Sequence, residues 1–525
     1  MSTERFQRII WVVLDGVGIE HARRFLASRR FPALARIEKE GRLGAIQPAS
    51  PVCQTPPALL ALFAGTEPAE NGVWGYNMPD PRRLESTISG FFAEPRQLHP
   101  LWQDLEERGI GYSLINVAFR NDPVWKGSAG RLVFGFDGYR LWRKPESIKL
   151  DGRASCFDFR GIDLRVVSHH NHVDIMKGNR FLAKLPLGQG QMISPTRGTR
   201  AFAHLFDQST LLLYPVTPPV VRGETSELAA ESPDINGFLD MNAFWAARRA
   251  HERQTVGEPF PIASALHPSE VSFRRKADLM RAAARNRAAK LVVGYFPVID
   301  ELNHPWFDLF ESEAGDGAAA RLFAGAFAPV DEFLSRLMEE ADEGTLLVVS
   351  SDHGAASYRR LLHVNELFAD AGLVKRVPDG YDLRRSSAYY HPSDCGQVVV
   401  NEHTARSQGF DSASLRAAVA QVVERANRRF SAQIALLGGG SRDPFLAFLY
   451  PMSDTYFTGD PPRRGRAAID PGKSGGHHLS PLSPTPWIQA MIGLWSPGTA
   501  ARSLHVPQAN KELKRFLLDL LPSSR

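Results

Sequence analysis

At 525 residues, with 43% hydrophobic and 23% charged residues, the chain has the composition of an ordinary globular protein and exceeds the size at which a single core stops growing. No apolar run approaches the ~20 residues needed to span a bilayer, which excludes a helical membrane protein at the sequence level. The formal net charge of +5 comes without a long Lys/Arg block, so it suits an anionic small molecule at least as well as nucleic acid.

The N-terminal MSTERFQRIIWVVLDG has a short apolar run and no small-residue cleavage site, so it reads as a first strand, not a signal peptide. Three cysteines, Cys53, Cys156 and Cys395, leave at least one unpaired, and with no zinc-knuckle spacing they favour a reducing compartment, the cytoplasm.

Three short aliphatic runs end in an acid: IIWVVLD (Ile9 to Asp15), LVVGYFPVID (Leu291 to Asp300) and TLLVVSSDHG (Thr345 to Gly354). Runs of this kind suit strands buried on both faces, and ligands of open α/β sheets bind outside the carboxyl ends of such strands. Helical periodicity fills the intervals, at Ser272 to Lys290 and at Ala318 to Asp342. A further strand is expected at Gln397 to Asn401 and a helix near Ser412 to Arg428. The expected fold is α/β: a three-layer α/β/α sandwich with a mainly parallel central sheet. Residues 81–259 break the pattern with scattered turns, aromatics and short alternating runs, and read as a large inserted cap of mixed structure. The core is then 1–80 and 260–525. Thr458 to Pro481, with the Arg-rich PPRRGR at 461–466, reads as a long loop.

Candidate metal ligands are Asp15, Asp300, His304, Asp352, His353 and either His477 or His478. Carboxylate oxygen with imidazole nitrogen suits zinc, and manganese or iron where carboxylates dominate. In VCQTPPALLALFAGTEP, Thr55 adds a hydroxyl ahead of an apolar helix whose buried stripe would be Leu59, Leu62 and Phe63, and Thr55-Pro56 suits an N-cap and first helical position. Taken singly, each has an ordinary reading: Asp15 as a turn residue, Asp352-His353 as a turn with a surface histidine, His304 as a loop histidine. The ordinary readings give no reason for three strand-end acids to arrive with neighbouring histidines. The cluster SHHNHVD, with His169, His170 and His172, suits a surface role, a substrate contact or a third metal.

These motifs resemble the alkaline phosphatase superfamily, and within it the nucleotide pyrophosphatase/phosphodiesterase branch. VVLDGVG resembles the first metal-binding strand, TPPALLALFAGTEPAENGVWGYNMPDP the nucleophile block, DELNH the Asp-x-x-x-His element, SSDHG the Asp-His pair and GGHH the late Gly-x-His. The resemblance implies two divalent metal ions, zinc before manganese or iron. One would be held by Asp300, His304 and His477, with His478 as the alternative, and the other by Asp15, Asp352 and His353. Thr55 would lie between them as metal-contacting nucleophile. It implies hydrolysis of phosphodiester or phosphoanhydride bonds in an anionic phosphate-containing small molecule, through a phospho-threonyl intermediate. The same core also serves phosphomonoesterases, phosphonate hydrolases and phosphotransferases, and a protein of another class, an inactive metal-binding scaffold, would share its outline.

The late histidines stand far beyond His353, unlike the mutases of the superfamily, and Cys53 lacks the Pro and Arg that sulfatases need after their modified residue. The sequence departs from the branch in three places. The phosphate-holding Asn position falls on Tyr76, with Asn77 next to it: Asn77 is preferred as the substrate-binding residue, with the Tyr76 hydroxyl or a helix-start N–H as alternatives; Ala58 replaces a second Asn, and no late Asp-x-x-Pro-Thr follows Trp487.

Overall fold

A computed structural model of the chain describes residues 6–80, 83–91, 98–119, 130–133, 146–150, 154–197, 199–215, 221–222, 241–252, 262–313, 317–393, 395–438, 446–452, 454–462, 468–470 and 474–522. Its centre is an eight-stranded sheet of β1 (Arg8–Leu14), β2 (Arg42–Ile46), β3 (Tyr112–Ile115), β4 (Gly130–Val133), β5 (Val221–Arg222), β6 (Leu291–Phe296), β7 (Thr345–Ser350) and β8 (Ala490–Trp495), in the order β5-β4-β3-β6-β1-β7-β8-β2. Strands β4, β3, β6, β1 and β7 run parallel; β5 and β8 pair antiparallel with their neighbours. Every residue of β1, β6 and β7 is buried, which is what their unbroken aliphatic runs require.

Successive side chains of β1 enter opposite cores, because a strand alternates faces. Ile10, Val12 and Leu14 pack with helices α1 (Ile19–Ser28), α2 (Pro32–Glu40), α4 (Met241–Glu252), α5 (Ile262–Arg285), α6 (Val298–Ser312) and α7 (Ala318–Glu340). Ile9, Trp11 and Val13 pack with α3 (Thr55–Ala64), the helix Leu101–Glu107 and α9 (Asn510–Leu520). Helices therefore cover both faces of a mostly parallel sheet. All ten residues of α3 are buried, so the expected apolar stripe is one side of a helix enclosed on every side. A separate apolar cluster joins α8 (Ser412–Phe430) to the antiparallel sheet of Ala388–Tyr390, Gln397–Val400, Ile434–Gly438 and Ala447–Pro451.

Strands β3 and β4 come from within the stretch read as an insertion, yet they extend the central sheet. Between β4 and β5 lie two four-stranded antiparallel sheets, one spanning Ala154–Asp158 to Arg180–Pro186, the other made of Glu146–Lys149, Gly190–Thr196, Thr199–Asp207 and Thr210–Pro215. They share a core of their own: Ala201, Ala203 and Leu205 meet Val166, Val173 and Ile175. The alternate residues of the same strand, Phe202 and Phe206, join the main core beside Phe244 and Phe273, which docks the paired sheets onto α4 and α5.

The stretch read as one long loop contains the strand Gly475–His477, paired antiparallel with Ala356–Tyr358; Arg463, Arg464 and Arg466 fall outside the described residues. Among the described residues no helix is long and apolar enough to cross a membrane.

Candidate metal centre

Strands β6, β1 and β7 are neighbours and parallel, so their carboxyl ends meet at one edge of the sheet, and the expected acids gather there. Asp15 follows β1 directly and Asp352-His353 stand two residues past β7. Asp300 is carried slightly further, in the first turn of α6, where the spacing of four places His304 on the same helix face.

His353 is the hub. Its Nε2 lies 3.2 Å from Asp15 Oδ1, 3.3 Å from Asp352 Oδ2 and 3.4 Å from Thr55 Oγ1. Its Nδ1 donates to the Gly354 carbonyl at 2.8 Å, which turns Nε2 toward the two acids. A second group forms around Asp300, whose Oδ2 lies 3.3 Å from His304 Nε2 and whose Oδ1 lies 3.4 Å from His478 Nε2. The rings of His353 and His478 stack at 3.9 Å, so the two groups share a wall.

The charge balance of this pocket is that of a cation site. Burial and the Asp300 charge raise the Asp15 pKa, while burial and Asp15 raise that of Asp352 well above the carboxylate range. Burial opposes protonation of His353, but Asp352 and Asp15 outweigh it and lift the imidazole to about 10. For Asp300 burial acts upward, yet His478 and His304 hold it below its usual value. Asp15 Oδ1, Asp300 Oδ1 and Asp352 Oδ2 are buried and accept no hydrogen bond. Buried oxygens of this kind are costly unless a cation meets them. Two sets of convergent donors, Asp15-Asp352-His353 and Asp300-His353-His478, each have their ligand atoms within 4.8 Å of one another.

A family model described as type I phosphodiesterase / nucleotide pyrophosphatase matches residues 9–130 and 196–434. The chain belongs to the type I phosphodiesterase / nucleotide pyrophosphatase family. It is thereby an alkaline phosphatase superfamily hydrolase of phosphodiesterase type, and enzymes of that superfamily use divalent metal ions. Phosphonoacetate hydrolase from Sinorhizobium meliloti 1021, in complex with phosphonoformate, is 14% identical with a TM-score of 0.50, the match covering 99% of this chain and 96% of that one. Wild-type alkaline phosphatase PafA is 8% identical with a TM-score of 0.52, again over 99% and 96%. At these identities the likeness is one of fold. No curated protein matches the chain.

In this phosphodiesterase-family chain the two late histidines have different surroundings. His478, not His477, makes the contact with Asp300. His477 ends the strand Gly475–His477, accepts the Leu479 N–H at 3.3 Å on Nδ1, and lies near the rings of Tyr456 and Tyr358. Adjacent residues of extended chain point to opposite sides, so only one of the pair can face the acids. The preceding glycines have a packing reason: a Cβ on Gly475 would lie 2.5 Å from the His304 carbonyl oxygen, and one on Gly476 would lie 2.5 Å from that of Asn303. Only bare backbone lets this strand approach α6 closely enough.

The helix start also differs from expectation. Gln54 is the N-cap of α3 and Thr55 its first residue, so the threonine hydroxyl makes no cap bond and faces His353 instead. Pro56 and Pro57 have no N–H and the Ala58 N–H donates to the Gln54 carbonyl, leaving Thr55's own amide as the donor this turn can offer an anion. Gln54 Oε1 accepts the Tyr76 N–H at 2.8 Å, which brings Tyr76-Asn77 beside the first turn of α3. The Tyr76 ring packs edge-on against Phe91, 5.3 Å between centroids. Cys53 is a neighbour only: burial holds its thiol protonated, and it donates to the His478 carbonyl at 3.3 Å.

Several supporting residues escaped the sequence reading. Tyr295 on β6 donates its hydroxyl to Asp15 Oδ2. His21 accepts the Gly18 N–H on Nδ1 and therefore donates from Nε2 to Asn303 Oδ1, while Asn303 Nδ2 donates to the Gly16 carbonyl. This chain of bonds ties the loop after β1 to α6. Asn510 Nδ2 donates to the Asp352 carbonyl at 2.6 Å. Arg248, on α4, grips Asp308 with both Nη atoms at 2.9 and 3.1 Å, and also donates to the Pro305 carbonyl and to Ser474 Oγ. Asp308 is one turn beyond His304, and Ser474 leads into the late histidines, so one guanidinium braces both ligand-bearing segments. Asn303, inside DELNH, had a signal in its position; Arg248 had none.

Proposed function

We propose that the chain hydrolyses a phosphodiester or phosphoanhydride bond of a small anionic molecule, with Thr55 as nucleophile at a site for two divalent cations. The observation that carries this reading is the Thr55 hydroxyl, which caps no helix N–H and lies 3.4 Å from the imidazole that also faces Asp15 and Asp352. Asp15, Asp352, His353 and Thr55 would hold one ion; Asp300, His304 and His478 would hold the other. The mixed N/O donor set favours zinc, with manganese or iron next. Bound there, the ions would supply Lewis acidity, lowering the pKa of the threonine hydroxyl and offsetting phosphate charge.

Within the chain's own chemistry, Thr55 Oγ gives up its proton to water and attacks phosphorus, the bond to the leaving oxygen breaks opposite, that oxygen departs with the bonding pair and is protonated by water, and a phospho-threonyl ester forms. A water oxygen then attacks that phosphorus, the P–Oγ bond breaks, and Thr55 recovers its proton. Tyr295, Asn303 and His21 keep Asp15 and α6 in place for both steps. Asn77 holds a phosphoryl oxygen, a role favoured by its position beside α3 and by the apolar engagement of the Tyr76 ring. The core is read as a three-layer α/β/α sandwich of 1–80 and 260–525 extended by β3 and β4, and the insertion as a cap built on the two antiparallel sheets within 146–215. Unpaired thiols fit a cytoplasmic setting.

Assaying metal-loaded Thr55→Ala and Thr55→Ser against bis-nitrophenyl phosphate, nitrophenyl phosphate and a phosphonate tests the reading. The alanine variant is expected to retain its metals and lose turnover by on the order of 10⁴ or more, whereas serine keeps part of it. Full activity of Thr55→Ala with metals bound would falsify the role of Thr55, and a preference for the monoester or phosphonate would move the substrate class.

A further inference from the structure

The inserted sheets carry a second convergence of metal-binding side chains, on a sheet other than the one whose edge gathers Asp15, Asp300 and Asp352. Strands Asp163–Ser168 and His172–Lys177 form a hairpin with Ser168 opposite Val173, and the His169 N–H closes it by donating to the His172 carbonyl at 2.9 Å. His169 and His172 thus face each other across the turn. Asp174, two residues on from His172, shares its strand face.

The rings of His169 and His172 stack at 4.3 Å with 10° between planes. His169 Nε2 lies 3.1 Å from Asp174 Oδ2 and His172 Nε2 lies 3.8 Å from Asp174 Oδ1. His172 Nδ1 is 2.9 Å from Asn171 Oδ1. With Nδ1–H donating to that amide oxygen, the lone pair of His172 is left on Nε2, pointing at a carboxylate oxygen that is shielded from solvent and accepts no hydrogen bond. Two electron-rich atoms facing each other with no proton between them call for a cation. Two stacked imidazolium rings would repel, which disfavours supplying that charge as protons on both.

We infer that His169, His172 and Asp174 form a third divalent-cation site, of the zinc class, on the insertion hairpin. All three ligand atoms lie within 4.8 Å of one another. Ligand atoms on a tetrahedral zinc sit about 3.4 Å apart, given Zn–N and Zn–O bonds near 2.1 Å, so the His172 Nε2, at 3.8 Å from Asp174 Oδ1, has to close in slightly. Asn171 acts as the outer partner that fixes a ligating imidazole. The His169 and His172 side chains are 42% and 18% exposed, which gives the ion an entry path and water for its remaining position. These residues lie between the two stretches matched by the family model and belong to neither donor set at the sheet edge. The bound ion would staple the hairpin end just beyond the Ser168–Val173 pair.

The test uses the full chain, stripped with chelator and re-equilibrated in buffered free zinc, with zinc per chain measured by elemental analysis. His169→Asn/His172→Asn is the variant. The expected result is one ion fewer per chain than wild type, with unchanged diesterase activity. Equal zinc content in the two proteins overturns the assignment. A variant that loses zinc together with activity overturns it too, since the missing ion would then belong to the catalytic cluster. Cobalt substitution gives an independent reading, because the variant should lack one visible-absorption component of the wild-type spectrum, and identical spectra count against the site.

Discussion

Replacing Arg248 by methionine keeps the length of the side chain and removes the guanidinium that braces the ligand-bearing segments. Arg248 and Asp308 side chains are only 9% and 7% exposed and are joined at 2.9 Å. The substitution leaves a buried carboxylate without its partner, a loss of about 3–5 kcal/mol. The bond to Glu252, whose side chain is 56% exposed, adds little, about 0–1 kcal/mol. A loss near 4 kcal/mol is a large part of the ~5–15 kcal/mol by which domains are stable. Removing both partners avoids the uncompensated charge, so Arg248→Met/Asp308→Leu should recover most of that loss. The freed Ser474 and Pro305 carbonyl should also loosen His478 and His304, weakening the Asp300-side ion by about 10–100-fold, as for other outer partners of metal ligands. Urea unfolding of the chelated proteins measures the first effect, and competition against a zinc chelator the second. If Arg248→Met cost less than about 1 kcal/mol, or if the double variant lost as much as the two single changes together, the bracing role would be wrong.

The late histidines should separate cleanly: His478→Ala is expected to abolish one zinc per chain, while His477→Ala keeps its metal, and the opposite outcome in elemental analysis would restore the sequence-based preference. Gly476→Ala places a methyl 2.5 Å from the Asn303 carbonyl oxygen, so the strand must withdraw from α6; weaker zinc retention and a lowered melting temperature are expected, and wild-type values of both would show that the contact relaxes freely. Burial lowers the His21 pKa to about 3 from the ordinary imidazole value of 6.5. The unfolded chain therefore binds a proton that the folded chain refuses between those values. This contribution to stability is complete above pH ~6.5 and declines by about 1.4 kcal/mol per pH unit below it. His21→Gln, which keeps a donor to Asn303, should flatten the acid limb of the stability curve by that slope, and an unchanged limb would contradict a neutral buried His21.

The buried strands β1, β6 and β7 were legible because strands covered on both faces must be apolar throughout, and the acids at their ends were legible because a parallel sheet delivers all its carboxyl ends to one edge. Thr55, Asp15, Asp300, His304, Asp352 and His353 could be named together for that reason, aided by the order of their motifs. The sequence could not choose between His477 and His478, since neighbours in extended chain differ only in which side they face, and that was decided by how the strand Gly475–His477 packs on α6. Nor could it show β3 and β4 leaving the insertion for the central sheet: four-residue strands carry too little periodicity, and their pairing is with residues far away in the chain. Arg248 was invisible for the same reason. Its partners stand 60 and 226 positions off, and nothing local to α4 distinguishes an arginine that faces solvent from one buried against α6. Composition and motif spacing determined which chemistry the chain carries; long-range packing determined which of two adjacent side chains faces Asp300 and what holds that segment still.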